Sequence, residues 1–253
     1  MQFRTFDCDG AEIRASMHPA DGTTGVLIVT GGTQIRCGPN RLFANIAAAL
    51  AADSIPAYRY DRRGVGDSDG DDPGYLDAEA DLAAALADFR EAQPQLTEIV
   101  GLGLCDGATV LMRAESEVDR AILLNPWTFE ADDMPSDAAP VAAHYRRRVL
   151  QPTTWKRLLT GQIDVATALR SVLALPRSAP ATGFAAQLSA ATEALDGRAL
   201  YILSSRDRTA DAFAAGHGKG VRPIKRIDGD HSFSGETATA ALLKTILRYV
   251  KAR

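Results

Sequence analysis

The sequence predicts an α/β protein: a mostly parallel central sheet flanked by helices, with one helical insertion. Three observations predict it. Short apolar runs of the buried-strand type alternate with segments of helical spacing, which is the pattern of strands joined by crossover helices. Glycine-rich turns follow several of these runs directly. One long interval, from about Phe129 to Asp196, holds no convincing strand and is too long for an ordinary connection, so it reads as an inserted helical cap. The chain of 253 residues is long enough to bury one substantial core.

The elements follow in order. Gln2 to Phe6 and Glu12 to Met17 read as an opening hairpin with Asp9-Gly10 as its turn. Val26 to Thr30 is a continuous apolar run of the parallel type that ends at Gly31-Gly32. Leu42 to Ala52 has helical spacing and good helix formers, and Ala57 to Tyr60 is a short strand. An acidic, glycine-rich loop, Asp67 to Asp77, leads into a helix over Leu76 to Arg90. The run Glu98 to Leu102 is a strand and Ala108 to Glu117 a helix. Strands are expected at Ala121 to Leu124, Leu200 to Leu203 and Val221 to Ile227, and Glu236 to Val250 closes the chain as a helix. The expected division is a core of residues 1–128 and 197–253, with the cap at 129–196.

Composition narrows the partners. A net charge of −4 leaves no cationic footprint, so neither nucleic acid nor an anionic membrane is an expected partner. No apolar run approaches the length of a spanning helix, and Met-Gln-Phe-Arg-Thr-Phe-Asp carries no apolar leader core. Cys8, Cys37 and Cys105 are odd in number and widely spaced, forming neither a disulfide framework nor a zinc pattern. These features predict a reduced, cytoplasmic protein. Four scattered histidines and the absence of a dinucleotide fingerprint predict no metal and no organic cofactor.

The chemistry centres on Gly103-Leu104-Cys105-Asp106-Gly107, which lies between a strand and a helix. Strand, sharp glycine-flanked turn and helix is the setting of a G-x-S-x-G nucleophile elbow, here with cysteine in the serine position. The positive end of a helix dipole favours a thiolate at such a site. The alternative is a buried structural thiol, since free cysteine packs as a small hydrophobe. A nucleophile needs a base and the base an orienter. Asp207 follows the Leu200 strand, and His231 follows the last strand, in the order nucleophile, acid, histidine. Asp207 also reads as a cap for a helix over Thr209 to Ala215, and His231 as a surface loop residue. The three in order, each after its own strand, predict a Cys105-His231-Asp207 triad. The oxyanion hole is expected from the amide of Asp106 and one amide of Gly31-Gly32-Thr33-Gln34, with Thr33 favoured and Gln34 the substitute. Gly32, Gln34, Trp127 and Phe129 are the expected substrate contacts.

Tyr60-Asp61-Arg62-Arg63-Gly64-Val65-Gly66-Asp67-Ser68 resembles the D-x-R-G-x-G-x-S turn of the α/β-hydrolase superfamily, with Asp61 and Arg63 bracing the loop beside the active site. With the Gly-Gly loop, the cysteine elbow, Arg206-Asp207-Arg208-Thr209-Ala210 and Asp230-His231-Ser232-Phe233, the chain resembles more narrowly the exosortase A system-associated hydrolase type 1 group. That resemblance implies an α/β-hydrolase fold and an association with bacterial exopolysaccharide functions.

A cysteine nucleophile yields a thioester intermediate, which favours thioesters, lactones and activated esters over amides. The expected substrate is a small acyl ester or thioester, free or presented on coenzyme A or a carrier protein. The same intermediate serves hydrolysis and acyl transfer to an alcohol or amine. A non-catalytic binding protein on a degenerate scaffold, and a redox pair of Cys37 with Cys105, are the other readings. Within the cap, Trp155, Leu158 and Leu159 read either as pocket or as core, and His144-Tyr145-Arg146-Arg147-Arg148 either as an anion grip or as a solvated helix face.

Overall fold

A computed structural model describes residues 1–129, 183–218 and 221–252. Its strands are β1 (Gln2–Cys8), β2 (Ala11–His18), β3 (Thr24–Val29), β4 (Ala57–Tyr60), β5 (Glu98–Leu104), β6 (Arg120–Leu124), β7 (Ala199–Ser204) and β8 (Ile224–Ile227). Its helices are α1 (Leu42–Ala52), α2 (Glu79–Ala92), α3 (Asp106–Arg113), α4 (Gly183–Ala194), α5 (Arg208–Gly216) and α6 (Glu236–Lys251). The eight strands form one sheet in the order β1-β2-β4-β3-β5-β6-β7-β8. The β1/β2 and β2/β4 pairs are antiparallel and the others parallel. The expected hairpin is present, with Cys8 paired to Ala11 and both Asp9 and Gly10 at positive φ, as a tight two-residue turn demands.

Helices cover both faces, and period-2 alternation in the strands sorts the core between them. On one face Phe89 of α2, Leu111 of α3, Leu188 of α4 and Phe213 of α5 pack on Leu27, Leu123 and Tyr201. On the other, Phe43 and Ile46 of α1 and Leu242 and Ile246 of α6 pack on Val100, Leu102, Ile122 and Ile202. Helix α4 lies within the interval expected as cap. Its Phe184, Leu188 and Ala191 are buried in the same layer as α2, α3 and α5, so this part of the interval flanks the sheet. The remainder of that interval, including Trp155, Leu158, Leu159 and the segment from His144 to Arg148, lies outside the described residues.

Two element bounds differ from expectation. The helix after the elbow ends at Arg113, not Glu117, because the chain turns at Ala114–Glu117 to enter β6. The last strand starts at Ile224 rather than Val221, since Pro223 has no N–H to give to a ladder.

Strand β5 presents Gly101 and Gly103 toward α3. A Cβ at Gly103 would press on the carbonyl carbon of Gly107 at 2.5 Å, and one at Gly107 would meet the Val29 carbonyl oxygen at 2.6 Å. The glycines therefore let α3 lie directly against β5 and β3, which fixes the height of the elbow over the sheet. Gly103→Ala is expected to cost about 1–3 kcal/mol of stability by forcing α3 outward, read as a lower urea midpoint at unchanged m-value.

Candidate active site

The elbow stands at the carboxyl end of β5. Cys105 has φ 60° and ψ −125°, a conformation that L-residues rarely adopt and that costs on the order of 1–3 kcal/mol. The surroundings impose it. Cys105 N–H donates to the Leu124 carbonyl at 2.9 Å, and the Cys105 carbonyl accepts from Ala108 and Trp127 amides at 3.1 and 3.2 Å. Thr109 donates its hydroxyl to the Trp127 carbonyl at 2.6 Å, stapling the segment after β6 to the first turn of α3. The sulfur is thus presented, half-buried, from a turn fixed on both sides.

Asp207 follows β7 and is 9% exposed. Its carboxylate accepts from the Thr209 and Ala210 amides at 3.3 and 3.1 Å, so it caps α5. The same carboxylate accepts from His231 Nδ1 at 3.0 Å. The two readings of Asp207 coexist in one side chain. His231 interacts with Cys105 as well as with Asp207, and with Nδ1 facing Asp207, Nε2 is the nitrogen left for the sulfur. The Asp207 hydrogen bond, then the Cys105 hydrogen bond, outweigh burial and push the imidazole pKa from 6.5 up to about 10.

The sign of that shift sets a pH dependence. The imidazolium is favoured in the folded state, so its stabilisation is fully present below about pH 6.5 and is lost as pH rises through about 10. Urea midpoints of wild type and His231→Ala should therefore converge between pH 7 and 10; a gap constant over that range would contradict the assignment.

The His231 loop is tied down on every side. The Asp230 carboxylate accepts from the Ser232 and Ser234 amides at 3.2 and 2.8 Å and from the Ser234 hydroxyl. Phe233, at φ 51°, is buried in the α1/α6 layer. Arg206 N–H donates to the Gly229 carbonyl at 3.0 Å, joining the Asp207 and His231 loops. Asn125 is a participant that sequence reading missed. Fully buried after β6, it donates to the His231 carbonyl at 2.9 Å and to the Ser204 hydroxyl at 3.1 Å, and accepts from the Ser204 amide at 2.8 Å. Its signal was a polar residue at the mouth of an apolar strand.

The loop after β3 lies across from the elbow. Gly32 N–H donates to both oxygens of the Asp106 carboxylate, at 2.6 and 2.7 Å. Gln34 N–H donates to the Gly31 carbonyl at 3.1 Å. Among the described residues Thr33 N–H has no hydrogen-bond acceptor, and Thr33 is exposed. The loop's far end is held by Asp61, fully buried, which accepts from the Arg36 amide and guanidinium and from the Asp67 amide at 3.2 Å. Arg63 donates its amide to buried Asp81 at 2.8 Å at the start of α2. Both expected bracing residues thus hold the turn after β4. Trp127 and Phe129 pack edge to face, with centroids 4.9 Å apart, and Trp127 Nε1 donates to the Phe129 carbonyl at 2.8 Å.

A family model, the alpha/beta hydrolase family, matches residues 27–244, most of the chain. The protein belongs to the alpha/beta hydrolase family. Solved structures agree on the fold of this hydrolase. DcsB, in complex with its substrate analogue, is 18% identical, with 99% of each chain covered and a TM-score of 0.64. The alpha/beta hydrolase GrgF from Penicillium sp. sh18 is 17% identical, covering 99% of this chain and 97% of its own, with a TM-score of 0.65. An esterase from Pyrococcus furiosus is 14% identical, covering 99% and 91%, with a TM-score of 0.62. At these identities the likeness speaks for the hydrolase fold alone. No curated protein matches the hydrolase sequence. No helix among its described residues is long and apolar enough to cross a membrane.

Proposed function

We propose that the protein is an esterase or thioesterase acting through an acyl-cysteine intermediate on a Cys105-His231-Asp207 triad. One observation carries this reading: a single imidazole that stands 3.0 Å from a buried carboxylate and interacts with the elbow thiol. His231 takes the thiol proton as sulfur attacks, leaving sulfur as the nucleophile. Cys105 Sγ attacks the acyl carbonyl carbon. The tetrahedral intermediate collapses as the carbon–leaving-group bond breaks and His231 gives its proton to the departing alcohol or thiol. Water then attacks the Cys105 thioester, His231 takes its proton, and the free acid leaves as the proton returns to the Cys105–His231 pair. Asp207 orients the imidazole throughout.

The oxyanion is held by the Thr33 and Asp106 amides. The engagement of the neighbouring Gly32 and Gln34 amides supports Thr33 as the donor. Gly32 and Gln34 then border the acyl carbonyl, while Trp127 and Phe129 wall the acyl side, being stapled to the elbow. The substrate is a small acyl ester or thioester, free or carried on coenzyme A or a carrier protein. The narrower resemblance to the exosortase A system-associated hydrolase type 1 group belongs to the same proposal, as does a cytoplasmic setting. Because a thioester intermediate is reactive toward alcohols and amines, acyl transfer is the second outcome of the same chemistry.

Turnover of p-nitrophenyl esters and acyl thioesters of graded length, measured with and without added alcohols and amines, tests the reading. Release of free acid supports a hydrolase, and a product that appears only with an acceptor supports a transferase. No turnover of any probe under either condition would favour a binding protein on a hydrolase scaffold.

A further inference from the structure

The elbow residue that offers an oxyanion amide also reaches across the site with its side chain. Asp106 is 8% exposed, and both its carboxylate oxygens accept from Gly32 N–H, at 2.6 and 2.7 Å. Oδ1 also accepts from Gly107 N–H at 3.1 Å. The carboxylate therefore ties the first turn of α3 to the loop that carries Thr33. The fit is close: a Cβ at Gly31 would collide with Asp106 Oδ1 and lie 2.5 Å from the Leu104 carbonyl oxygen. Glycine at position 31 leaves the space that the carboxylate fills.

We infer that the Asp106 side chain is a positioning residue, holding the Thr33 amide in register with the Asp106 amide so that both meet one oxyanion. This rests on the acyl-transfer reading of the same site. Two amides from separate loops stabilise an oxyanion only while their spacing is fixed, and a misplacement near 1 Å can cost about 10²-fold in rate. The loop is gripped at its far end by Asp61 on Arg36, and at its near end by Asp106 on Gly32. Thr33 lies between the two grips. A carboxylate beside a developing oxyanion would oppose catalysis if its charge were uncompensated. Burial works against that charge and pushes the carboxyl pKa up, opposed by the two backbone amides that engage its oxygens and by the Arg62 cation. Arg62 is itself held by Asp72 in a two-bond pair at 2.7 and 2.9 Å.

The test compares wild type, Asp106→Ala and Asp106→Asn in two reactions of the same sulfur. Acylation by octanoyl N-acetylcysteamine and p-nitrophenyl butyrate develops an oxyanion; alkylation by iodoacetamide forms a carbon–sulfur bond, expels iodide and develops none. Both are followed on the Cys105 peptide by mass. The Asp106→Ala variant should acylate about 10²-fold more slowly while alkylating within about twofold of wild type. Asp106→Asn should recover at least about tenfold of that loss, because its amide oxygen still accepts from Gly32. Equal acylation by Asp106→Ala and wild type would overturn the positioning role alone. So would a parallel fall in both reactions, or an Asn variant as slow as Ala. Wild type that alkylates yet takes no acyl group from either probe would sink the acyl-transfer reading, and the positioning role with it.

Discussion

Cys105→Ala is expected to lower kcat/KM on acyl thioesters and esters by at least about 10³-fold. The magnitude follows from what is removed. On the proposed mechanism the Thr33 and Asp106 amides are untouched, so residual catalysis by binding and polarisation is expected, but no covalent intermediate. The fold should survive as well. Cys105 adopts a strained turn at φ 60°, and alanine meets the same backbone restriction without adding bulk. Steady-state kinetics beside an unchanged circular dichroism spectrum would check the claim. Activity within tenfold of wild type would contradict it.

The second large effect is expected from Asp207→Asn, with a loss of kcat of about 10²–10⁴-fold while the helix cap is kept. Asparagine caps helices about as well as aspartate, so the Thr209 and Ala210 amides keep an acceptor and α5 keeps its start. What changes is the partner of His231 Nδ1. A carboxylate holds that nitrogen protonated and presents Nε2 to the sulfur, whereas a neutral amide withdraws the charge that favours the imidazolium. The pH–rate profile of the variant should shift to lower pH along with its fall in kcat. An unchanged kcat would reduce Asp207 to a helix cap.

The parallel strands were legible in the sequence because β3, β5 and β6 are buried on both faces and appear as unbroken apolar runs. That Cys105, Asp207 and His231 come together was legible because each follows its own strand, and the carboxyl ends of parallel strands lie along one edge of the sheet. The layer formed by α4 was not: its apolar positions announce a helix without saying whether sheet or cap receives them. Asn125 was hidden because its partners Ser204 and His231 lie 79 and 106 positions away, and nothing local requires them. Asp106 was read for its backbone only. Its carboxylate gains a role through Gly32, 74 positions earlier, a pairing that follows from the close approach of β3 and α3. Asp61 and Arg63 were legible through the turn they share, although their partners Arg36 and Asp81 were not.

The most direct measurement is intact-protein mass after brief exposure to graded acyl thioesters, with peptide mapping of the adduct, in wild type, Cys105→Ala and His231→Ala. A gain equal to one acyl group is expected on the Cys105 peptide of wild type, none on Cys105→Ala, and slow formation on His231→Ala. Turnover without any adduct on Cys105, or an acyl group that persists when Cys105 is alanine, would contradict the acyl-cysteine mechanism.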